Sequence, residues 1–162
     1  MAIDSNTRSR GVSRTIWLVQ LVLLSACASS RPEPPPPLSL SITSQYTTNA
    51  GKLFYMVVRS VNEKQFIIDN YTDVAGKAFM DPPDAAQLGI YSIIPGDDSV
   101  IELKQPAQNG LVGVYFLFTQ PGLQWKKILS PPIAERYDIS FTGGSQVSLL
   151  PHRSFWSRLW PF

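Results

Sequence analysis

The sequence predicts a mainly β domain, built as a sandwich or barrel of short strands. Residues 38–43 alternate apolar and hydroxyl side chains, which is typical of a strand buried on one face. Residues 53–61 form a nearly continuous apolar run rich in β-branched and aromatic residues, as expected of a central strand covered on both faces. From Ile90 onward, strand-like segments alternate with proline- and glycine-containing turns, a spacing that favours a sandwich or barrel.

The first 26 residues predict a signal peptide. An apolar run over residues 16–24 is far shorter than the roughly 20 residues of a membrane-spanning helix. Three basic residues precede it: Arg8, Arg10 and Arg14. This order of a basic flank and a short apolar run is that of a secretory signal.

Cys27 is the single cysteine and follows the small residues Ser25 and Ala26. A buried thiol in an ordinary helix is the alternative, but the basic flank and the short apolar run favour a processing site. The order resembles the lipobox of bacterial lipoproteins, which implies cleavage before Cys27 and a covalent lipid on its thiol. In such lipoproteins the next residue helps to sort between membranes, and Ala28 implies the outer membrane.

Residues 27–37 predict an extended stalk. They are rich in proline and poor in apolar residues, so they favour polyproline II over a packed structure. At about 3.1 Å per residue, such a stalk reaches roughly 30 Å. A ligand for an aromatic groove is the alternative, but the position between lipid and domain favours a spacer.

The remaining chain is long enough for one domain and carries no net formal charge once residues 1–26 are removed. A neutral domain has no basic field for phosphate backbones, so nucleic-acid binding is disfavoured. We therefore expect a single domain over residues 38–150.

The elements follow in order along that domain. Residues 45–51 predict an exposed loop because Asn49 and Gly51 favour a turn. Residues 62–83 predict one short helix, with Asp69 or Asn70 as its N-cap. Later strands are predicted over residues 99–104, 111–118, 125–129, 136–141 and 146–150. Gly113 within the second of these strands indicates a bulge or a close approach.

Few residues in the domain are suited to catalysis or metal binding. His152 has no histidine or cysteine partner and is predicted to be solvated, while Asp97 and Asp98 fit a turn after Pro95-Gly96. Four further aspartates raise the question of calcium, but their spacing matches no ligand loop: Asp69, Asp73, Asp81 and Asp84. We predict no enzyme, no metal and no cofactor beyond the lipid on Cys27.

Residues 151–162 form an aromatic and basic tail, with four aromatic residues and two arginines after Pro151. Such a segment suits a membrane interface or a partner groove. Alternatively, the tail folds back over an open edge of the domain. The sequence leaves both open.

Several motifs, taken in order, resemble the TssJ family, the outer-membrane lipoproteins of type VI secretion systems. The first region of resemblance is the strand–loop–strand segment 38–61 with the following Phe66, Asp69 and Tyr71. The second region contains a Pro-Gly turn at residues 94–96, a strand at 101–103, a glycine-containing apolar strand at 111–116 and a Trp-basic pair at 125–126. Lys126 stands where the family usually has arginine.

The resemblance implies a transthyretin-like two-sheet β-sandwich with a short helical insertion, anchored by lipid to the periplasmic face of the outer membrane. It implies binding to the periplasmic domain of an inner-membrane secretion component within a trans-envelope complex. The contact residues would be those of the first loop: Gln45, Tyr46, Thr47, Thr48, Asn49 and Ala50. The alternative is a sandwich that binds a small ligand, a sugar or peptidoglycan through Tyr46, Tyr91 or Trp125.

Overall fold

The computed structural model describes residues 37–104, 110–143 and 145–152. The predicted signal peptide, the lipidation site Cys27, the stalk before Pro37 and the tail beyond His152 lie outside the described residues. Those predictions stay predictions.

The described residues form eight strands, two α-helices and one short 3-10 turn. The strands are β1 (Leu38–Ser44), β2 (Phe54–Val61), β3 (Gln87–Ile93), β4 (Ser99–Leu103), β5 (Leu111–Leu117), β6 (Lys126–Leu129), β7 (Arg136–Thr142) and β8 (Gln146–Pro151). The helices are α1 (Glu63–Ile68) and α2 (Tyr71–Ala78), and the 3-10 turn is Thr48–Gly51.

The strands form two four-stranded sheets, in the orders β4-β1-β7-β8 and β3-β2-β5-β6. β1 pairs parallel with β7, and the other pairs are antiparallel. The predicted two-sheet sandwich with a helical insertion is confirmed. Its core takes alternate side chains from both sheets, among them Leu40, Ile42, Met56, Phe116 and Phe141.

The predicted central strand is confirmed, because β2 lies between β3 and β5. Its alternate side chains face two different layers. Met56 and Val58 belong to the core between the sheets, and Val57 packs with Val74 of α2 in a second cluster on the outer face. This double burial explains why the strand lacks polar alternation.

The helical insertion contains two helices, so the prediction of one helix is wrong. Each helix has its own asparagine N-cap: the Asn62 side chain accepts from Gln65 N at 2.7 Å, and the Asn70 side chain accepts from Asp73 N at 2.9 Å. Of the two predicted caps, Asn70 is therefore the one used. Asp69 is the C-cap of α1, and its side chain is buried.

One arginine joins both flanks of α2 to the sheet. Arg59 lies on β2 and is 4% exposed. Its Nη1 lies 3.3 Å from Asp69 Oδ2, and its Nη2 lies 2.5 Å from Asp84 Oδ2. Since Asp69 precedes α2 and Asp84 follows it by six residues, a single guanidinium ties the segments on both sides of the helix to β2. We call these three residues the Arg59 clamp.

Further donors satisfy the buried Asp69 carboxylate. Tyr115 donates its hydroxyl proton to Oδ2 at 2.6 Å, and Gln65 Nε2 donates to Oδ1 at 2.6 Å. The ring of Tyr115 lies over Gly113, where a Cβ atom would stand 2.6 Å from a ring carbon. The close approach predicted at Gly113 is confirmed, and it gives the tyrosine room to reach Asp69.

Burial, followed by the hydrogen bond to Asp69, raises the pKa of Tyr115 well above its ordinary value. In the unfolded chain a tyrosine ionises near pH 10, so the stabilisation linked to this shift is present below about pH 10 and is lost as pH rises further. The wild-type free energy of unfolding should then fall by up to about 1.4 kcal/mol per pH unit from this group.

Tyr115→Phe should remove this alkaline contribution and give a shallower slope, measured by urea denaturation between about pH 9 and about pH 11. Tyr46→Phe is the matched control, because Tyr46 is 79% exposed. It should keep the wild-type slope. Equal slopes for Tyr115→Phe and the wild type would contradict the assignment.

Candidate partner-binding site

Four connections meet at one end of the sandwich. Ser44, the last residue of β1, pairs with Phe141 near the end of β7, and Tyr55 near the start of β2 pairs with Leu117 at the end of β5. The β1–β2, β3–β4, β5–β6 and β7–β8 connections therefore lie together, and we call them the loop end. All six predicted contact residues, 45–50, belong to it.

The start of the described chain lies at the opposite end. Leu38 opens β1 and pairs with Leu103, the last residue of β4, whereas Ser44 closes β1 at the loop end. The seven residues of β1 span roughly 20 Å at about 3.3 Å each. Pro37, the residue that would continue into the stalk, is thus separated from the loop end by the length of the sandwich.

The backbone of the first loop holds an unusual conformation. Asn49, Ala50 and Gly51 all have positive φ, at 50°, 55° and 74°. This left-handed region suits glycine and asparagine but costs an alanine energy. A strained alanine persists only where surrounding contacts hold it.

Asn49 supplies those contacts. Its amide group donates to Lys52 O at 2.8 Å and to Leu53 O at 3.2 Å, and its Oδ1 accepts from Thr119 N at 2.8 Å. Asn49 is 4% exposed and Thr48 is buried as well. The prediction of a fully exposed loop is therefore wrong at these two residues, because Asn49 tethers the loop to the strand ends beneath it.

Two other predicted residues brace the loop against its neighbours. Gln45 Oε1 accepts from Gly143 N at 3.0 Å in the β7–β8 turn. The Tyr46 ring lies directly over Gly96, whose positive φ and missing Cβ leave room for it. Tyr46 is thus exposed and also held in position.

A cavity of about 310 Å³ opens beside this loop. Lys52 is the one charged residue in its wall, and hydroxyl and amide groups make up most of the rest: Thr47, Asn49, Thr119, Gln120 and Ser145. Ser145 also has positive φ, and its Oγ accepts from Asn49 N at 3.3 Å. The cavity suits a hydrogen-bond acceptor or an anionic group of a binding partner.

The three aromatic residues of the ligand-binding alternative do not converge on this cavity. Tyr46 rests on Gly96, Tyr91 packs against the core between the sheets, and the Trp125 ring lies 5.4 Å from that of Tyr71 on the outer face. In the part of the chain that the structure describes, these three aromatic residues therefore do not form a shared surface for a sugar.

The remaining polar candidates have local roles. His152 is exposed, and its Nδ1 lies 2.8 Å from Asp138 Oδ2. Asp97 donates its backbone N–H to Ile94 O in the predicted turn, and Asp69 and Asp84 belong to the Arg59 clamp. Within residues 37–104, 110–143 and 145–152, no group of three His, Cys, Asp or Glu residues is arranged to hold a metal ion. The described part of the chain also has no helix with the length and hydropathy to span a membrane.

A protein-family model matches residues 55–141, and its description is IglE, N-terminal domain. The match runs from β2 to β7 and includes the Arg59 clamp and two of the four connections at the loop end, β3–β4 and β5–β6. The comparison with curated protein sequences finds no match.

Solved structures from type VI secretion systems (T6SS) share the fold. The T6SS lipoprotein TssJ1 from Pseudomonas aeruginosa aligns with a TM-score of 0.58 and 15% identity, over 75% of this chain and 99% of that chain. Serratia marcescens Lip, described as a membrane bound component of the type VI secretion system, aligns with a TM-score of 0.52 and 15% identity, over 72% and 98%. A structure described as T6SS protein TssM C-terminal domain (869-1107) from EAEC contains a chain that aligns with a TM-score of 0.56 and 16% identity, over 70% and 99%. The fold implied by the TssJ resemblance is confirmed.

The strained Ala50 gives a stability prediction. Ala50→Gly should raise the free energy of unfolding by about 0.5–1 kcal/mol, because glycine adopts positive φ without steric cost. Ala75→Gly within α2 is the matched control and should lower it by about 1 kcal/mol. Urea denaturation measures both, and a loss of stability in Ala50→Gly would contradict the strained conformation.

Proposed function

The chain belongs to the IglE N-terminal domain family, and from that premise we propose that it is a lipid-anchored subunit of a type VI secretion trans-envelope complex. In this proposal it binds the periplasmic domain of an inner-membrane component through residues 45–50. Two of the structural relatives support this system, since one is a T6SS lipoprotein and the other is a membrane bound component of the type VI secretion system.

The observation that carries the proposal is the rigid first loop at the loop end. Asn49 and Gln45 fix its backbone through hydrogen bonds within the loop and to the β5–β6 and β7–β8 connections, while Tyr46 presents its ring to solvent. A loop that is already ordered loses little conformational entropy on binding. Exposed, well-positioned tyrosines are also frequent energetic centres of protein interfaces.

The positions of the attachment point and the first loop support a bridging role. Pro37 and the first loop lie at opposite ends of the sandwich. A domain tethered through residues 27–37 would be attached at the end opposite the loop end, which leaves the loop end free to contact a periplasmic partner. Cys27 carries the lipid in this proposal, and Ala28 directs the protein to the outer membrane.

Tyr46→Ala tests the contact. It removes the exposed ring but leaves the Asn49 hydrogen bonds in place, so the fold should persist. We expect at least a tenfold lower recovery of an inner-membrane protein with a periplasmic domain, measured by quantitative mass spectrometry after purification from solubilised membranes. Leu150→Ala, at an exposed apolar position on β8, is the control and should retain wild-type recovery. Unchanged recovery with Tyr46→Ala would sink the loop assignment.

Cys27→Ser tests the anchor. Without an acyl chain the protein should leave the outer-membrane fraction and appear among soluble periplasmic proteins on sucrose-gradient fractionation. Ala28→Asp keeps the cysteine and should move the protein to the inner membrane. If Cys27→Ser still fractionates with the outer membrane, the anchor lies elsewhere, and residues 153–162 become the first segment to delete.

A further inference from the structure

We propose that the free edge of β3 is a second docking element, which takes an extended segment of the same partner as an added β-strand. This inference rests on the proposed function, because it assigns a second contact to the partner that meets the first loop. Strand addition recognises main-chain hydrogen-bonding groups on an exposed sheet edge and side-chain pockets beside it.

The direction of the β2 backbone groups follows from the sheet ladder. Phe116 donates its backbone N–H to Trp125 O at 2.7 Å, so its main-chain groups point toward β6 and away from β2. Met56 lies opposite Phe116, and its groups consequently point the other way, toward β3. The hydrogen bond from Ser60 N to Ala86 O at 2.8 Å supports this direction. Ser60 lies four residues after Met56, and residues an even number of positions apart on a strand direct their main-chain groups to the same side.

The unpaired groups of β3 follow from this alternation. Met56 faces Tyr91 in the β2–β3 register, so Tyr91 uses its main-chain groups on β2. Ile90 and Ser92, on either side of Tyr91, direct their N–H and C=O groups away from β2. Because β3 is the outer strand of its sheet in the part of the chain that the structure describes, these groups form an open hydrogen-bonding edge there.

The other three edge strands of the described residues carry features that discourage pairing. β6 has four residues, two of them lysines, and β4 carries Glu102. β8 ends in Pro151, which has no N–H to offer. β3, by contrast, has seven residues and contains neither a charge nor a proline. Sheet edges of that kind are the ones that pair with other chains.

An exposed apolar surface borders the β3 edge. Its members are between 37% and 59% exposed, and we call them the Tyr55 surface: Leu53, Tyr55, Phe79, Met80 and Ile94. The rings of Tyr55 and Phe79 meet edge-on with centroids 5.0 Å apart. Tyr55 lies opposite Ser92, so the surface adjoins one of the open edge positions.

The Tyr55 surface is continuous with the loop end. Ile94 follows β3 and leads within two residues to Gly96, on which the Tyr46 ring rests. A single partner can therefore contact Tyr46 and the β3 edge together. Since both the edge and its bordering surface lack charge, the fitting occupant is an extended, uncharged segment with apolar side chains at alternate positions.

Ser92→Pro tests this edge. Proline removes the outward N–H and blocks strand addition, yet it costs no ladder hydrogen bond to β2. In the full chain purified from membranes, we expect recovery of the inner-membrane partner to fall by about tenfold. Ser92→Thr keeps the N–H and should retain recovery. Val100→Pro, at an exposed position on the edge strand β4 of the other sheet, should retain it too.

The variants separate the two proposals. Loss of recovery with Tyr46→Ala but wild-type recovery with Ser92→Pro overturns the edge and leaves the proposed function standing. Wild-type recovery with Tyr46→Ala contradicts the loop assignment whatever Ser92→Pro does. Denaturation curves for Ser92→Pro that match the wild type ensure that a loss reflects docking.

Amide hydrogen exchange identifies the occupant of the edge. The amides of Ile90 and Ser92 should exchange fast in the isolated full chain and become protected in the purified complex. Protection in the isolated chain that rises with protein concentration would assign the edge to a second copy and overturn the proposal. Protection at all concentrations that is lost on deletion of residues 153–162 would assign it to the chain's own tail, with the same consequence.

Discussion

The contact between Arg59 and two aspartates holds the helical insertion on the sandwich. Removing a guanidinium and a carboxylate from water costs several kcal/mol per ion, and the pairing offsets this only if the remaining polar atoms also find partners. Tyr115 and Gln65 meet that requirement at Asp69, whereas Arg59 Nε is buried without a hydrogen-bond partner among the described residues. At Asp84, a backbone hydrogen bond from Ala86 and then Arg59 lower the pKa of the carboxyl group. Its contribution is therefore present above the unfolded-state pKa and is lost as pH falls through the lower folded-state pKa.

The Arg59 clamp also determines which face of the sheet the helical insertion covers. Asp69 and Asp84 bring the chain back to one point on β2, so α2 lies across the outer face of the sheet, where its Val74 packs with Val57 and Tyr115. The insertion ends there, and the next segment enters β3 as an edge strand. Within residues 37–104, 110–143 and 145–152, the insertion leaves the loop end, the β3 edge and the Tyr55 surface uncovered.

Local sequence patterns predict most of the strands because alternation and apolar runs record burial residue by residue. They fail where a buried polar group has distant partners. Arg59 interrupts an apolar strand, and its partners lie 10 and 25 residues away along the chain. Asp69 fits an N-cap as well as a metal ligand in the sequence, and only the folded chain shows it as an ion-pair partner. The break between the two helices lies at the same place, since Asp69 is the C-cap of α1 and Asn70 is the N-cap of α2.

The first loop shows the same limit more sharply. Its residues were identified through a family resemblance, and Asn49 and Gly51 correctly predict a turn. The burial of Asn49 depends on Thr119, which lies 70 residues away, and no local pattern records that contact.

The β3 edge is different: its lack of charge is visible in the sequence, but its position at the edge is fixed by the sheet order. Binding through a rigid loop supplies specificity through particular side chains, whereas strand pairing supplies hydrogen bonds that depend little on sequence. Joining the two on one continuous surface would let a small domain hold a partner through main-chain pairing and specific side-chain contacts together.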